Sequence, residues 1–302
     1  MKTLEPAISL SLKNILLATD FSPGSETALK YAQAIAQRHA SHVHVIHVTA
    51  PDSYRLLDPE AFAITFNQPG NSAMNATDVL YALLDGLPTQ TPVHQGLVWE
   101  VISDVVRRNE IDLLVLASHG RHGIFRMVLG SVAEDVFRNV SCPVLTVGPD
   151  VKPCGEKGLN IQRVLVATHF EKNSSAPLCA ALLCNEFHAE LTALHVAEER
   201  KDAADARSSK ELDLIERLRS LVPAEANLWC KPECRLTHGS PSHGILDAAR
   251  ELQSDLIVLG ARHPEPARIN SHLPWATAAR VIAEAHCPVL TVREGESDDV
   301  YA

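Results

Sequence analysis

The chain has few of the features that mark membrane proteins or nucleic-acid-binding proteins. No stretch approaches the ~18 continuous apolar residues that a membrane-spanning helix needs. Its 27 lysines and arginines are outnumbered by 37 aspartates and glutamates, and the net charge of -10 disfavours nucleic acid, which normally calls for a basic stripe. We therefore expect neither a membrane nor a nucleic acid as a partner.

Signals of secretion are also sparse. The seven cysteines are an odd number without the spacing of a disulfide framework, which predicts reduced thiols in a cytosol. The first residues, MKTLEPAISLSLK, contain neither the long apolar stretch nor the small-residue cleavage site of a secretory signal. With 46% hydrophobic and 21% charged residues, the composition is that of an ordinary globular protein, and we expect it in the cytoplasm.

The chain does contain one unit repeated in tandem. The blocks KNILLATDFS, VHVIHVTA, IDLLVLASHG and SCPVLTV occur in the first half. In the second half, QRVLVATHFE, AELTALHVAE, SDLIVLGARH and HCPVLTV follow in the same order. Four matched blocks in one order predict a duplication. We predict domains over residues 1–150 and 151–302, joined near the Gly- and Pro-containing segment GPDVKPCGEKGLN.

Short apolar runs alternate with helical patterns in each unit. In the first unit we predict strands at 15–18, 43–48, 93–96, 113–117 and 144–147, and helices that open at Ser22-Pro23, run through 101–106 and start at Ser131. This alternation predicts the α/β class, with two tandem Rossmann-like domains. Each domain would be an open five-stranded parallel sheet flanked by helices. Residues 59–90 give the vaguest pattern.

A glycine-containing loop, LASHGRHGIFRMVLGS over residues 116–131, is a candidate anion site. It follows the fourth strand, and ligands of open parallel sheets bind beyond the carboxyl ends of the strands. Gly120 exposes its amide, and Gly130-Ser131 stand at a helix start where unpaired N–H groups attract anions. No Gly-Lys-Ser/Thr ending is present, which excludes a Walker A loop. Asp20 ends the first strand and is a candidate ligand of ribose hydroxyls.

The same residues allow a purely structural interpretation. Asp20 would then cap a helix, and Gly130 would permit close packing of the chain. No set of nucleophile, base and orienting group emerges near the loop, so we assign no catalytic residues. His119, His122 or a residue of 59–90 are the available candidates for a base, and Arg121 or Arg126 could neutralise a phosphate or face solvent.

Both units resemble universal stress protein domains of the UspA type, over nearly the whole chain. Nucleotide-binding members of that family carry G-x2-G-x9-G-S/T after the fourth strand; here Ala117 replaces the first glycine, and the other small residues match in spacing. The resemblance implies an adenine nucleotide alpha hydrolase-like fold. It also implies ATP, or a related adenine nucleotide, in the first unit, with Mg²⁺ accompanying the phosphates. By the same resemblance the cofactor-binding residues are Ala18, Thr19, Asp20, Val48, Ala117, Gly120, Gly130, Ser131 and Val132.

The second unit departs from this pattern. His169 stands where the first unit has Asp20, and Trp275 stands where it has Gly130. An indole at the point where backbone must approach a phosphate is expected to close the pocket, and Pro264 removes an amide donor nearby. We predict that the second unit keeps the fold and does not bind ATP in the same manner.

Histidines and cysteines invite a metal hypothesis that the sequence does not favour. His47 and His195 occupy matching strand positions in the two units, which favours a packing or hydrogen-bonding role. The C-x4-C and C-x3-C spacings of the second unit lack a second paired cluster, so we expect free thiols and assign no metal ligands.

Three functional hypotheses follow for the whole chain. The first is a cytoplasmic stress sensor or regulator that binds ATP in its first domain and engages an unknown protein partner. The second is an interaction module of the same family without nucleotide, and the third is a weak ATPase. The PVLTV strands are expected at sheet edges, and in the family the domains pair through this last strand. Two chains could associate further as a homodimer.

Overall fold

The computed structural model describes two compact units. The described residues are 12–20, 22–49, 89–90, 93–95, 97–118, 135–137, 139–155, 158–170, 174–197, 204–262 and 272–294. The first unit is built mainly from residues 12–159 and the second mainly from residues 160–294. The predicted limits of the domains, 1–150 and 151–302, stay a prediction because they include residues outside the described ranges.

The first unit is a parallel sheet with helices. Its strands are β1 (Asn14–Ala18), β2 (His42–Thr49), β3 (Thr89–Gln90), β4 (Val93–Gln95), β5 (Leu113–Ala117) and β6 (Val144–Val147). Among the described residues, its helices are α1 (Pro23–His39) and α2 (Val98–Arg108), and residues 135–137 and 139 are also helical. The strand order is β3-β2-β1-β5-β6, with every described pairing parallel. β4 also pairs with β2, in the same register as β3, so the two short strands occupy one edge position.

Local chemistry explains how α1 begins and which face it buries. The Ser22 side chain accepts a hydrogen bond from the Ser25 amide at 3.2 Å, and Pro23 opens the first turn. The helix ends at Ala40, whose φ of 53° is left-handed. Between these ends, Leu29 and Ile35 are 6% and 5% exposed, and burial of each contributes roughly 1.5–3 kcal/mol.

The second unit repeats this architecture. Its strands are β7 (Arg163–Ala167), β8 (Glu190–Ala197), β9 (Glu233–His238), β10 (Leu256–Arg262) and β11 (Val289–Glu294). Its helices are α3 (Ser175–Phe187), α4 (Ala204–Leu221), α5 (Pro241–Glu251) and α6 (His272–Glu284), with a 3-10 turn at Ala224–Leu228. The order is β9-β8-β7-β10-β11, again with parallel pairing.

The duplication extends to individual hydrogen bonds. In the first unit the carboxylate of Asp112 accepts the amides of Lys13 and Asn14 at 2.7 and 2.8 Å. In the second unit Asp255 accepts those of Gln162 and Arg163 at 2.9 and 3.0 Å. Asp112 thereby joins the starts of β1 and β5, and Asp255 joins the starts of β7 and β10, which stabilises the same sheet order twice.

Most of the predicted elements are confirmed. β5 and β6 match the predicted residues, and the other predicted strands differ by one residue at an end or extend further. The strand predicted at 93–96 corresponds to β4. A second short strand, β3, precedes it, so pairing with β2 begins at Thr89, earlier than expected. The start of the helix predicted at Ser131 and the loop before it lie outside the described residues. β6 and β11 each end the strand order of their own unit, and their pairing stays a prediction.

Candidate functional site

The candidate site lies where the strand order of the first unit reverses. β1 pairs with β2 on one side and with β5 on the other, so the connections leave β1 and β5 in opposite directions. A crevice forms outside the carboxyl ends of strands at such a switch point. Because the strands are parallel, Asp20 after β1, Val48 near the end of β2 and Ala117 at the end of β5 reach the same edge.

Asp20 is held by the beginning of α1. Its Oδ1 accepts the Ser22 amide at 3.0 Å and the Ser25 hydroxyl at 2.5 Å. The same Ser25 oxygen lies 3.3 Å from the Asp20 amide, which donates to it. A carboxylate at a helix N-terminus is favoured by the helix dipole. The N-cap of α1 is Ser22 rather than Asp20, and the contacts of Asp20 with Ser22 and Ser25 orient a half-buried carboxylate at the switch point.

His47 positions the backbone that leads to Asp20. The Thr19 amide donates to the carbonyl of Ile46 at 3.0 Å, which extends the pairing of β1 with β2 by one residue. The imidazole Nδ1–H of His47 then donates to the carbonyl of Thr19 at 2.8 Å. The expected hydrogen-bonding role of this histidine is confirmed, since His195 makes the same 2.8 Å contact with Thr168 in the second unit.

Small side chains line the rest of the described edge. Ala18, Val48 and Ala117 are half-buried, and the Ser118 amide donates to Val147 at 3.0 Å, continuing the pairing of β5 with β6. The structure thus brings together five of the predicted residues: Ala18, Thr19, Asp20, Val48 and Ala117. The other four, Gly120, Gly130, Ser131 and Val132, lie outside the described residues, as do His119, Arg121 and His122.

Three side chains pack together at the corresponding edge of the second unit: Phe170, His195 and Arg217. Phe170 is 8% exposed and has a φ of 65°, a left-handed conformation that costs a non-glycine residue about 1–3 kcal/mol. Arg217 of α4 contacts this residue twice: its guanidinium carbon lies 4.5 Å from the Phe170 ring centre, and its Nη2 donates to the Phe170 carbonyl at 3.2 Å. The His195 ring lies 4.1 Å from the same ring, centre to centre.

The environment of His195 favours a neutral imidazole. Burial lowers its pKa below 6.5, and the positive groups of His169, Arg217 and His238 lower it further, while the hydrogen bond to Thr168 partly opposes them. His238 lies 3.4 Å from the Glu211 carboxylate, measured from Nε2 to Oε1. This edge therefore contains a cluster of Phe170, His195 and Arg217 beside His169, the residue that stands where the first unit has Asp20.

Sequence reasoning missed Ser25 and Arg217. Ser25 follows Ser22 at the three-residue spacing of an N-cap pair, and that spacing is the signal that could have identified it. Arg217 carried no such signal, because its partner Phe170 is distant in the chain.

The side chain of Trp275, expected to close the second pocket, lies outside the described side chains. Within the described residues there is no group of three histidine, cysteine or acidic side chains suited to a metal ion, and no helix long and apolar enough to cross a membrane.

Comparison with known proteins agrees with this architecture. The model of the universal stress protein family matches residues 11–148 and again residues 160–293. The chain belongs to the universal stress protein family. A universal stress protein of Mycolicibacterium smegmatis is 22% identical over 295 residues, covering 92% of this chain and 96% of that protein. One from Methanocaldococcus jannaschii is 30% identical over 139 residues, covering 45% of this chain and 81% of its own length.

A solved structure supports the fold over both units. The crystal structure of a universal stress protein from Archaeoglobus fulgidus superposes with a TM-score of 0.64 at 22% identity. The match covers 93% of this chain and 98% of that one. The chain is thus a tandem universal stress protein, and the Rossmann-like fold predicted from its strand and helix pattern is confirmed.

Proposed function

We propose that this universal stress protein binds ATP, or a related adenine nucleotide, at the switch point of its first unit and acts as a stress-response sensor or regulator. The observation that carries the proposal is the carboxylate of Asp20, fixed by Ser25 and Ser22 beside the ends of β2 and β5. A carboxylate at this place in a Rossmann-like sheet is suited to accept hydrogen bonds from ribose hydroxyls.

The neighbouring residues fit a nucleotide. Ala18 and Ala117 at the carboxyl edge are small and half-buried, which suits a purine or sugar there, and Asp20 is already oriented by Ser25. Amides of the loop from Gly120 to Ser131 would hold the phosphates, as the spacing of that loop predicts. Mg²⁺ would arrive with the phosphates, and we assign it no protein ligand.

Differences in the second unit support nucleotide binding in the first unit alone. His169 replaces the acidic residue, and Arg217 contacts Phe170 next to it. We therefore propose a single nucleotide for each chain. We also propose a cytoplasmic protein that pairs its last strands, assembles as a homodimer and engages a protein partner according to the nucleotide bound.

Isothermal titration with ATP tests the proposal through a matched pair of variants. Asp20→Ala removes the ribose ligand, and a charge-assisted hydrogen bond of about 1.5–3 kcal/mol corresponds to binding weaker by about 10- to 100-fold. His169→Ala changes the equivalent position of the second unit and is expected to bind like the wild type. Gly130→Trp copies the second unit's residue into the first and is expected to abolish binding. Equal heats from all four proteins would refute the site.

The interaction module without nucleotide is the second candidate, and one observation favours it. The Asp20 carboxylate already serves the start of α1, so its placement does not require a ligand. Mass spectrometry of small molecules released from the denatured, freshly purified protein separates the two functions. An adenine nucleotide in the released material supports the first candidate, and its absence together with a flat ATP titration supports the second.

A further inference from the structure

Two cysteines from distant segments meet in the second unit. Cys184 lies on α3 and Cys230 follows the 3-10 turn, and each thiol shifts the pKa of the other. The turn is tied to the same helix, because Trp229 Nε1 donates to the Ala181 carbonyl at 3.2 Å. Both sulfurs also approach carbonyls, Cys184 that of Glu190 at 3.7 Å and Cys230 that of Ala226 at 3.4 Å. The contact thus lies in a packed region with several hydrogen bonds.

The two thiols differ in exposure and in acidity. Cys184 is fully buried, whereas Cys230 is 9% exposed. The hydrogen bond from Cys184 lowers the pKa of Cys230, with burial opposing it, and raises the pKa of Cys184 together with burial. Among the seven cysteines, all of them described, burial raises the pKa of Cys142, Cys179 and Cys287 to about 12. Cys230 is therefore the thiol best able to ionise, and the thiolate is the reactive form.

We propose that Cys184 and Cys230 form an oxidisable dithiol, a modification site in which hydrogen peroxide converts the pair into a reversible disulfide. The Cys230 thiolate attacks one peroxide oxygen, which breaks the O–O bond and, with a proton from solvent, gives a sulfenic acid and water. The Cys184 sulfur then attacks the Cys230 sulfur, the S–S bond forms, and the sulfenic oxygen leaves as water with the thiol proton. Two thiols lose two electrons in all, and one peroxide is reduced to two waters.

The disulfide would restrain the connection that contains α4, beside the carboxyl edge of the second unit. The loop closed by Cys184 and Cys230 includes β8 and the whole of α4, which contains Arg217 above Phe170. Closing a loop of this length restricts the unfolded chain, so the oxidised second unit is expected to unfold at a midpoint several degrees higher than the reduced one. Oxidation would thus hold α4 more firmly over that edge, independently of any nucleotide in the first unit.

Peptide mapping of the full-length protein tests this directly. The reduced chain is treated with hydrogen peroxide, remaining thiols are alkylated with N-ethylmaleimide, and the digest is analysed by mass spectrometry. We expect a cross-linked peptide joining Cys184 to Cys230, the loss of two alkylation sites, and their recovery after dithiothreitol. Cys184→Ser and Cys230→Ser remove the cross-link, while the neighbouring Cys234→Ser keeps it.

Other outcomes would overturn the proposal. Alkylation of both Cys184 and Cys230 after peroxide would show that the pair is not oxidised. Accumulation of sulfinic acid at Cys230 would show that Cys184 does not capture the sulfenic acid. A cross-link of Cys230 to Cys234 or to a second chain would assign different chemistry. The peptide map of the wild-type protein alone distinguishes these results, so the test does not depend on the folding of a variant.

Discussion

Ser25 provides the sharpest test of how the first unit orients Asp20. Ser25 is 4% exposed. Its hydroxyl donates a hydrogen bond to the Asp20 carboxylate and accepts one from the Asp20 amide. Ser25→Ala removes both bonds and the 3.2 Å contact of the Ser25 hydroxyl with the Ser22 hydroxyl, while the 3.0 Å bond from the Ser22 amide to the carboxylate is kept. A neutral hydrogen bond contributes about 0.5–1.5 kcal/mol, and one to a charged group about 1.5–3 kcal/mol. Because Asp20 is half-exposed and water replaces part of the loss, we expect a cost of about 2 kcal/mol.

Hydrogen exchange measured by mass spectrometry reports this cost locally. A loss of about 2 kcal/mol corresponds to exchange about 30-fold faster in peptides from α1. Peptides from α3 in the second unit provide an internal reference and should not change. Thr27→Ala is the matched control, since it deletes a hydroxyl that donates to the Pro23 carbonyl at 3.4 Å, and we expect an effect within about 0.5 kcal/mol. If Ser25→Ala and Thr27→Ala exchange alike, the reasoning about Asp20 is refuted.

Three further predictions concern the second unit. The pKa of His195 is lowered in the folded protein, so protons bind better to the unfolded chain and stability falls as the pH drops through about 6.5. The midpoint of thermal unfolding, measured between pH 7.5 and 5.5, should depend less on pH in His195→Asn than in the wild type. An unchanged dependence would contradict this. Arg217→Ala is expected to cost about 1–2 kcal/mol and to speed exchange around Phe170, whereas exposed Glu216→Ala should not. Gly244→Ala places a methyl 2.9 Å from a Val196 methyl and should lower the free energy of unfolding, measured in urea, by about 1–3 kcal/mol. Gly155→Ala, whose methyl would have nothing within 4 Å, should not lower it.

The predictable part of the fold is the part governed by local pattern. The residues of β5 and β6 were predicted correctly because each is a short, almost wholly apolar run that the sheet buries on both faces. β3 was missed because Thr89–Gln90 is polar and too short to show a period. Strand alternation and the repeat then sufficed for the Rossmann-like class.

The site was predictable only where position along the chain determines position in space. Asp20 and Ala117 could be expected together, since parallel strands end at one edge. The contacts of Phe170 with Arg217 and of Cys184 with Cys230 could not, because each joins segments separated by a strand and a helix. Such pairs depend on how α4 and the 3-10 turn pack, and no periodic pattern in the sequence records that packing.

A crystal structure of the full-length protein grown with ATP tests the central claim most directly. We expect an adenine nucleotide in the first unit, with its ribose on Asp20 and its phosphates against Gly120 through Ser131, and no nucleotide beside His169. Nucleotide in the second unit, or a first-unit edge filled by the protein's own side chains at saturating ATP, would contradict it.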